Sequence, residues 1–133
     1  MLKDSQPNTL VRVASWVVKN KRIVIETKST VFVALAVMDQ LVKRMDDEES
    51  WLNLMERVFK AFLEQDGESS QVFLITAALH PIGYLLAKEM VSRVSCVSEN
   101  TKMEVIRALA SHVETLSVDK LGAAVLKGMA VAL

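Results

Sequence analysis

Cysteine, proline and glycine are scarce in this sequence: 133 residues hold one cysteine, two prolines and four glycines. The single thiol, Cys96, has no partner for a disulfide within the chain, a usage typical of reducing compartments. Aromatic residues make up only 5% of the chain, whereas β-strands are enriched in aromatic and β-branched side chains. Leucine, valine, alanine and seven methionines dominate instead. This composition favours packed helices over a β-sandwich.

An excess of charge of one sign is also missing. Sixteen lysines and arginines balance sixteen aspartates and glutamates, so no net field attracts nucleic acid or an anionic membrane. The first residues, 1–7, lack the apolar run of a signal peptide, and we expect an intracellular protein, cytoplasmic or nuclear. Because the last five residues, 129–133, are apolar, we expect residues 1–133 to be a single all-α domain cut from a longer protein.

Apolar residues recur at the three- and four-residue spacing of amphipathic helices. Pro81 should split a long uncharged segment, because proline lacks the amide proton that a helix interior needs. Short connections favour antiparallel neighbours. The fold class predicted is therefore all-α, with five to seven antiparallel helices in hairpins. The predicted helices are residues 9–19, 30–45, one that starts within 46–49 and ends at 66–67, 70–79, 82–95, one that starts after 98–100, and one from about 117.

Two predicted helix pairs share a pattern. Residues 31–45 and 51–63, and again residues 72–94 and 103–116, place an almost wholly apolar helix before an amphipathic one. The alternation resembles the helix-pair repeats of the HEAT and armadillo class, whose periods are about 40–47 residues. The resemblance implies a short HEAT-like stack. A compact, non-repeating bundle around a buried central helix fits the same pattern.

The residue types of catalysis and metal binding do not cluster along the chain. His80 and His112 are far apart in sequence and lie on different predicted helices, so they lack the spacing of zinc ligands. We interpret His80, which precedes Pro81, as a residue of the helix kink with a satisfied ring nitrogen. No glycine-rich phosphate loop occurs. We expect no catalytic residue, no metal, no cofactor and no enzymatic activity.

Large apolar side chains are numerous for a chain of this length, and tryptophan and methionine are common on surfaces that accept peptides or helices. We predict a non-catalytic protein–protein interaction or scaffold domain. It binds a partner peptide or helix in an apolar groove, or assembles with itself as a homodimer. The strongly amphipathic segment 51–63 is the candidate wall of that groove. The candidate partner-binding residues are Trp51, Met55, Phe59, Phe62 and Trp16.

Two other classes of function stay open. A buried apolar helix among amphipathic ones also describes membrane-associated, Bcl-2-like helical bundles. A basic cluster near the N-terminus is able to contact phosphate, which defines a nucleic-acid-associated module as the other alternative. The chain offers little more basic surface and no obvious stacking platform beside this cluster, so we rank both below the scaffold. The residues of the basic cluster are Lys19, Lys21, Arg22 and Lys28.

Overall fold

The structure, a computed structural model, describes residues 7–67 and 71–132. Within these two ranges the chain is all-α, as the sequence predicts, and its one β feature is an isolated bridge between Gln65 and Val72. The predicted helix start near residue 70 lies outside the described residues. The helices are α1 (Pro7–Lys19), α2 (Lys21–Val24), α3 (Lys28–Arg44), α4 (Glu49–Phe62), α5 (Phe73–Ala78), α6 (Tyr84–Ser92), a 3-10 turn (Val94–Cys96), α7 (Glu99–Ser111), α8 (Val113–Val118) and α9 (Lys120–Ala132).

The helices pack as a compact bundle around α3 and α6. Helices α3 and α4 pack on each other, and α1 contacts both of them. Helix α6 contacts α3 and α5 but packs most extensively against α9, which also covers α8. A helix-pair repeat would instead make α6 and α7 the second packed pair. The packing thus favours the bundle, and the HEAT-like relationship stays a prediction.

One hydrophobic core runs through the bundle, and α4 supplies the largest share of its bulky side chains. The apolar residues of α4 recur at three- and four-residue intervals, so they line one face of the helix. The face is almost completely buried against α1, α3, α5 and α7. The buried residues of α4 are Trp51, Leu54, Met55, Val58, Phe59, Ala61 and Phe62.

The break at Pro81 confirms the predicted split of the central apolar segment. Helix α5 ends at Ala78 and α6 begins at Tyr84. In between, the Nδ1 atom of His80 accepts hydrogen bonds from the backbone N–H groups of Ile82, at 3.0 Å, and Gly83, at 3.1 Å. These amides open the next helix and have no carbonyl partner inside it. His80 therefore has a satisfied nitrogen at the kink, as we interpreted it from the sequence.

The buried face of α7 differs from the predicted one. The spacing within segment 103–116 predicts a buried stripe of Met103, Ile106, Leu109, Ala110, Val113 and Leu116. Leu109 and Leu116 are buried, but Met103 is exposed, and so is Val113, which belongs to α8. The face that reaches the core carries Thr101, Val105 and Leu109, which are spaced four residues apart. The buried face differs from the predicted one because hydrogen bonds to Glu56 anchor the N-terminus of α7 to α4.

Candidate protein-binding cleft

Three of the five candidate partner-binding residues lie in the core. Met55, Phe59 and Phe62 each expose 0% of their surface. The ring of Phe62 meets the ring of Phe73 edge to face, with 5.3 Å between the centroids. The prediction that these three side chains form an accessible groove wall is therefore wrong, because neighbouring helices cover the whole apolar face of α4.

Trp51, at the first turn of α4, occupies a different position. It is 9% exposed and lines a cleft of about 390 Å³ between α1 and the start of α4. Val11 of α1, which is 41% exposed, and Leu54 complete the apolar wall of this cleft. We name it the α1–α4 cleft. Its remaining lining residues are Asn8, Glu48, Ser50, Asn53 and Arg57.

The indole of Trp51 is held in place from the side of α3. The guanidinium carbon of Arg44 lies 5.4 Å from the centroid of its ring, within the range of a cation–π interaction. The cleft volume falls at the lower end of the range of small-molecule pockets, about 300–1,000 Å³. A cleft of this size has room for one or two bulky side chains, and polar residues surround its apolar wall.

Trp16 is accessible but does not line the α1–α4 cleft. It is 40% exposed, and two further apolar residues on the next two helices are more exposed still: Ile23 at 52% and Phe32 at 57%. The sequence pattern singles out neither Ile23 nor Phe32, because they lie in the wholly apolar runs 23–25 and 31–38. Alternation of exposed and buried residues is invisible in such segments until the neighbouring helices are in place.

The basic cluster is partly neutralised by acidic residues that are remote in sequence. The Nζ atom of Lys21 lies 3.0 Å from Oε1 of Glu64 and donates to the carbonyl oxygen of Ala61 at 2.5 Å. Arg22 pairs with Asp66. Both cations also stand over the ring of Phe73.

Helix α2 is thereby fixed to the C-terminal end of α4 and to the loop that follows it. The hydroxyl of Thr76 donates to Asp66 at 2.5 Å. The bond from Thr76, together with the charge of Arg22, lowers the pKa of Asp66 against the opposing effect of partial burial. The two basic residues with no such role, Lys19 and Lys28, are exposed. Half of the predicted phosphate-binding cluster is therefore engaged in holding the fold.

A second polar cluster joins α4 to α7. One carboxylate oxygen of Glu56 accepts from the backbone N–H of Ser98, and the other accepts from the hydroxyl of Thr101 at 2.5 Å. The hydroxyl of Ser98 caps α7 by accepting from the backbone N–H of Thr101 at 3.3 Å. Ser98 is therefore the N-cap of α7, whereas the spacing of Thr101 and Glu104 in the sequence predicts a capping box that starts at Thr101. These hydrogen bonds hold Thr101 on the side of α7 that faces the core, and so they determine which face of α7 is buried.

Acid should weaken this Glu56 cluster. Partial burial alone would raise the pKa of Glu56, but the hydrogen bonds from Ser98 and Thr101 and the charge of Lys60 outweigh it, and the pKa is lowered. A carboxylate with a lowered pKa in the folded state stabilises the protein above its unfolded pKa, about 4.5. That contribution is lost as the pH falls through the lower folded value.

We predict that Glu56→Gln lowers the free energy of unfolding by about 1 kcal/mol at pH 7. The difference between the two proteins should shrink between about pH 5 and pH 3, where wild-type Glu56 becomes protonated. Urea unfolding at stepped pH measures it. Glu104→Gln, at an exposed position on α7, is the control and should match the wild type. A constant difference across this pH range would contradict the prediction.

The described residues offer little that resembles an active site. No group of three or more histidine, cysteine, aspartate or glutamate side chains within them is arranged to hold a metal ion. A second, more polar cleft of about 320 Å³ lies beside α7 and includes Arg107 and His112. The Nδ1 atom of His112 is 3.1 Å from the carbonyl oxygen of Ala108. The absence of enzymatic activity stays a prediction.

Among the helices of the described ranges, none has both the length and the apolar character that crossing a membrane requires. Comparison with protein-family models, with curated proteins and with solved structures finds no match to this chain. The candidate site must therefore be judged by its own geometry.

Proposed function

We propose that this chain is a non-catalytic protein-interaction domain that holds a partner peptide or helix in the α1–α4 cleft. One observation carries the proposal: Val11, which is 41% exposed, lines a concave, polar-rimmed site together with the largely buried side chains of Trp51 and Leu54. Interfaces concentrate their binding energy in such places, where an aromatic anchor stands at the centre and polar groups surround it. The other large side chains of α4 lie in the core, where their packing holds the residues of this wall in place.

The geometry also supports a scaffold role over a membrane or nucleic-acid role. A Bcl-2-like, membrane-associated bundle would need a long apolar helix to interact with the membrane. Here the central apolar segment is divided at Pro81 into the short helices α5 and α6. A nucleic-acid module would draw on the basic cluster, of which Lys21 and Arg22 are paired with carboxylates. As part of the same proposal, the domain is intracellular, because its single cysteine is typical of reducing compartments.

We predict that Val11→Asp abolishes capture of the partner and leaves the thermal midpoint nearly unchanged. The new carboxylate would stand in the apolar wall of the cleft, whereas Val11 is exposed enough that its replacement costs the fold little. The test is affinity capture from a native lysate with mass spectrometry, using the full chain, beside light scattering for oligomeric state.

The matched control is Val113→Asp on α8, because Val113 is 48% exposed and lies on a helix that does not line the cleft. It should capture the same proteins as the wild type. If Val11→Asp captures them equally well, the cleft is not the binding site. If light scattering shows a dimer that Val11→Asp dissociates, the occupant of the cleft is a second copy of this chain.

A further inference from the structure

His80 acts as the cap of the turn that leads into α6. Its Nδ1 atom accepts from the backbone N–H groups of Ile82 and Gly83, two and three residues further along the chain. Its carbonyl oxygen accepts from the backbone N–H of Tyr84 at 3.1 Å, four residues further along. The N-cap residue of a helix makes this set of bonds, and proline is favoured directly after it, where Pro81 stands.

Histidine differs from the common N-cap residues because its acceptor depends on its charge. Serine, threonine and asparagine keep their acceptor oxygen at any ordinary pH. A neutral imidazole has one nitrogen with a free lone pair, whereas an imidazolium carries a proton on both nitrogens and only donates. His80 is half-buried, so protons from the solvent reach it. Its protonation removes the acceptor of two amides that have no carbonyl partner inside the helix.

The junction between α5 and α6 has little room to rearrange. A Cβ atom at Gly83 would lie 2.8 Å from Cβ of Ile25, the residue that follows α2, and 3.2 Å from the carbonyl oxygen of Ala77 in α5. The backbone at Gly83 is therefore packed against both neighbours. Its N–H group reaches a new acceptor only if the turn moves away from these contacts, so loss of the cap should loosen the junction.

The other charged groups around the junction keep their charge between pH 7.5 and 5.5. Within the described ranges, no acidic or basic side chain forms an ion pair with the imidazole of His80. Carboxylates, lysine, arginine and tyrosine do not titrate in this interval, and the only other histidine in the sequence is His112. Helix α5 has no charged residue, and those on the other packed segments are Lys21, Arg22 and Glu26 at α2, Lys88 and Glu89 in α6, and Lys120 and Lys127 in α9.

His112 responds to protonation in the opposite way. Its Nδ1 atom lies 3.1 Å from the carbonyl oxygen of Ala108. Because a carbonyl oxygen only accepts, this nitrogen is the donor, and it remains a donor when the ring is charged. Protonation therefore breaks the bonds of His80 and preserves the bond of His112.

We infer that His80 is a pH-sensitive cap. At neutral pH the lone pair on its Nδ1 atom closes the junction between α5 and α6, and at about pH 5.5 protonation of the ring opens it. This device does not depend on which partner occupies the α1–α4 cleft.

Urea unfolding of the full chain at pH 7.5 and 5.5 tests the inference. The unfolding equilibrium constant of the wild type should rise about three- to tenfold in acid, tenfold being about the limit for one histidine of ordinary pKa, about 6.5, in the unfolded chain. His80→Asn should lose most of this response, because an asparagine side chain accepts the same two bonds without titrating. His112→Gln is the matched control and should respond as the wild type does.

A second measurement, on the wild type alone, locates the effect. The amide chemical shifts of Ile82 and Gly83, followed by NMR from pH 7.5 to 5.5, should change together with the ring signals of His80. The amide of Thr101, which donates to the hydroxyl of Ser98 at 3.3 Å, is the internal control, because a hydroxyl cap does not titrate.

An equal response of the unfolding constant in the wild type and in His80→Asn overturns the inference. Amide shifts of Ile82 and Gly83 that stay constant over this pH range overturn it as well. If His80→Asn does not fold, the wild-type shifts decide alone.

Discussion

Phe59→Ala is expected to lower the free energy of unfolding by about 3–5 kcal/mol, the cost of truncating a fully buried aromatic side chain. Phe59 is 0% exposed, and its removal leaves a cavity between α4 and its neighbours that the rigid helices fill only in part. Urea unfolding followed by far-ultraviolet circular dichroism measures the loss. Many domains of this size have a total stability of about 5–15 kcal/mol, so the variant is close to the limit of folding.

Trp16→Ala is the control for Phe59→Ala, because both changes remove a large aromatic side chain from a helix. Trp16 is 40% exposed, so its removal should cost less than half as much. This pair also separates two roles. The sequence pattern predicts both Trp16 and Phe59 as partner-binding residues, whereas the structure places Phe59 in the core and Trp16 at the surface. If Phe59→Ala kept its stability and lost only partner capture, Phe59 would be an accessible anchor after all, and its placement in the core would be wrong.

Gly122→Ala is the second large effect, an expected loss of about 2–3 kcal/mol. A Cβ atom at Gly122 would lie 2.7 Å from the carbonyl oxygen and 2.8 Å from the Cα atom of Leu116. Both are backbone atoms, so α8 and α9 would have to move apart. Asp119, which binds the backbone N–H groups of Leu121 and Gly122 through Oδ1, holds this end of α9 in place and resists that movement.

Gly128→Ala on the same helix is the matched control. Its Cβ atom would stand 3.3 Å from both Cγ and the backbone carbonyl oxygen of Lys88 and 3.4 Å from Cγ2 of Val91. These contacts are longer than those at Gly122, so shifts of a few tenths of an ångström relieve the crowding. Alanine also favours the helix over glycine by about 1 kcal/mol. We expect a change within about 0.5 kcal/mol of zero by differential scanning calorimetry and urea unfolding. Similar losses in both variants would show that the close approach of α8 and α9 is not the cause.

The predictability of the candidate site varies from residue to residue. Trp51 was found from the sequence because it starts the clearest amphipathic helix, but the same pattern selected Phe59 with equal weight. Helical periodicity identifies an apolar face and does not say which part of that face a neighbour covers. Val11 was missed because α1 packs against α3 and α4 with a flank exposed toward the cleft, and nothing in its own sequence marks that flank.

The sequence by itself determined the all-α class and the break of the central segment at Pro81. These depend on interactions within a few residues, such as helical periodicity and the missing amide proton of proline, which are read directly along the chain.

Only the tertiary structure decided which side chains remain accessible and which charges are already paired. Lys21 pairs with Glu64, 43 residues away, and Arg22 pairs with Asp66, 44 residues away. Glu56 determines which face of α7 is buried through its hydrogen bond to Ser98, which is 42 residues away. Contacts at this separation depend on how the helices pack, which a local pattern does not contain. The partial exposure of Trp51, at 9%, arises in the same way.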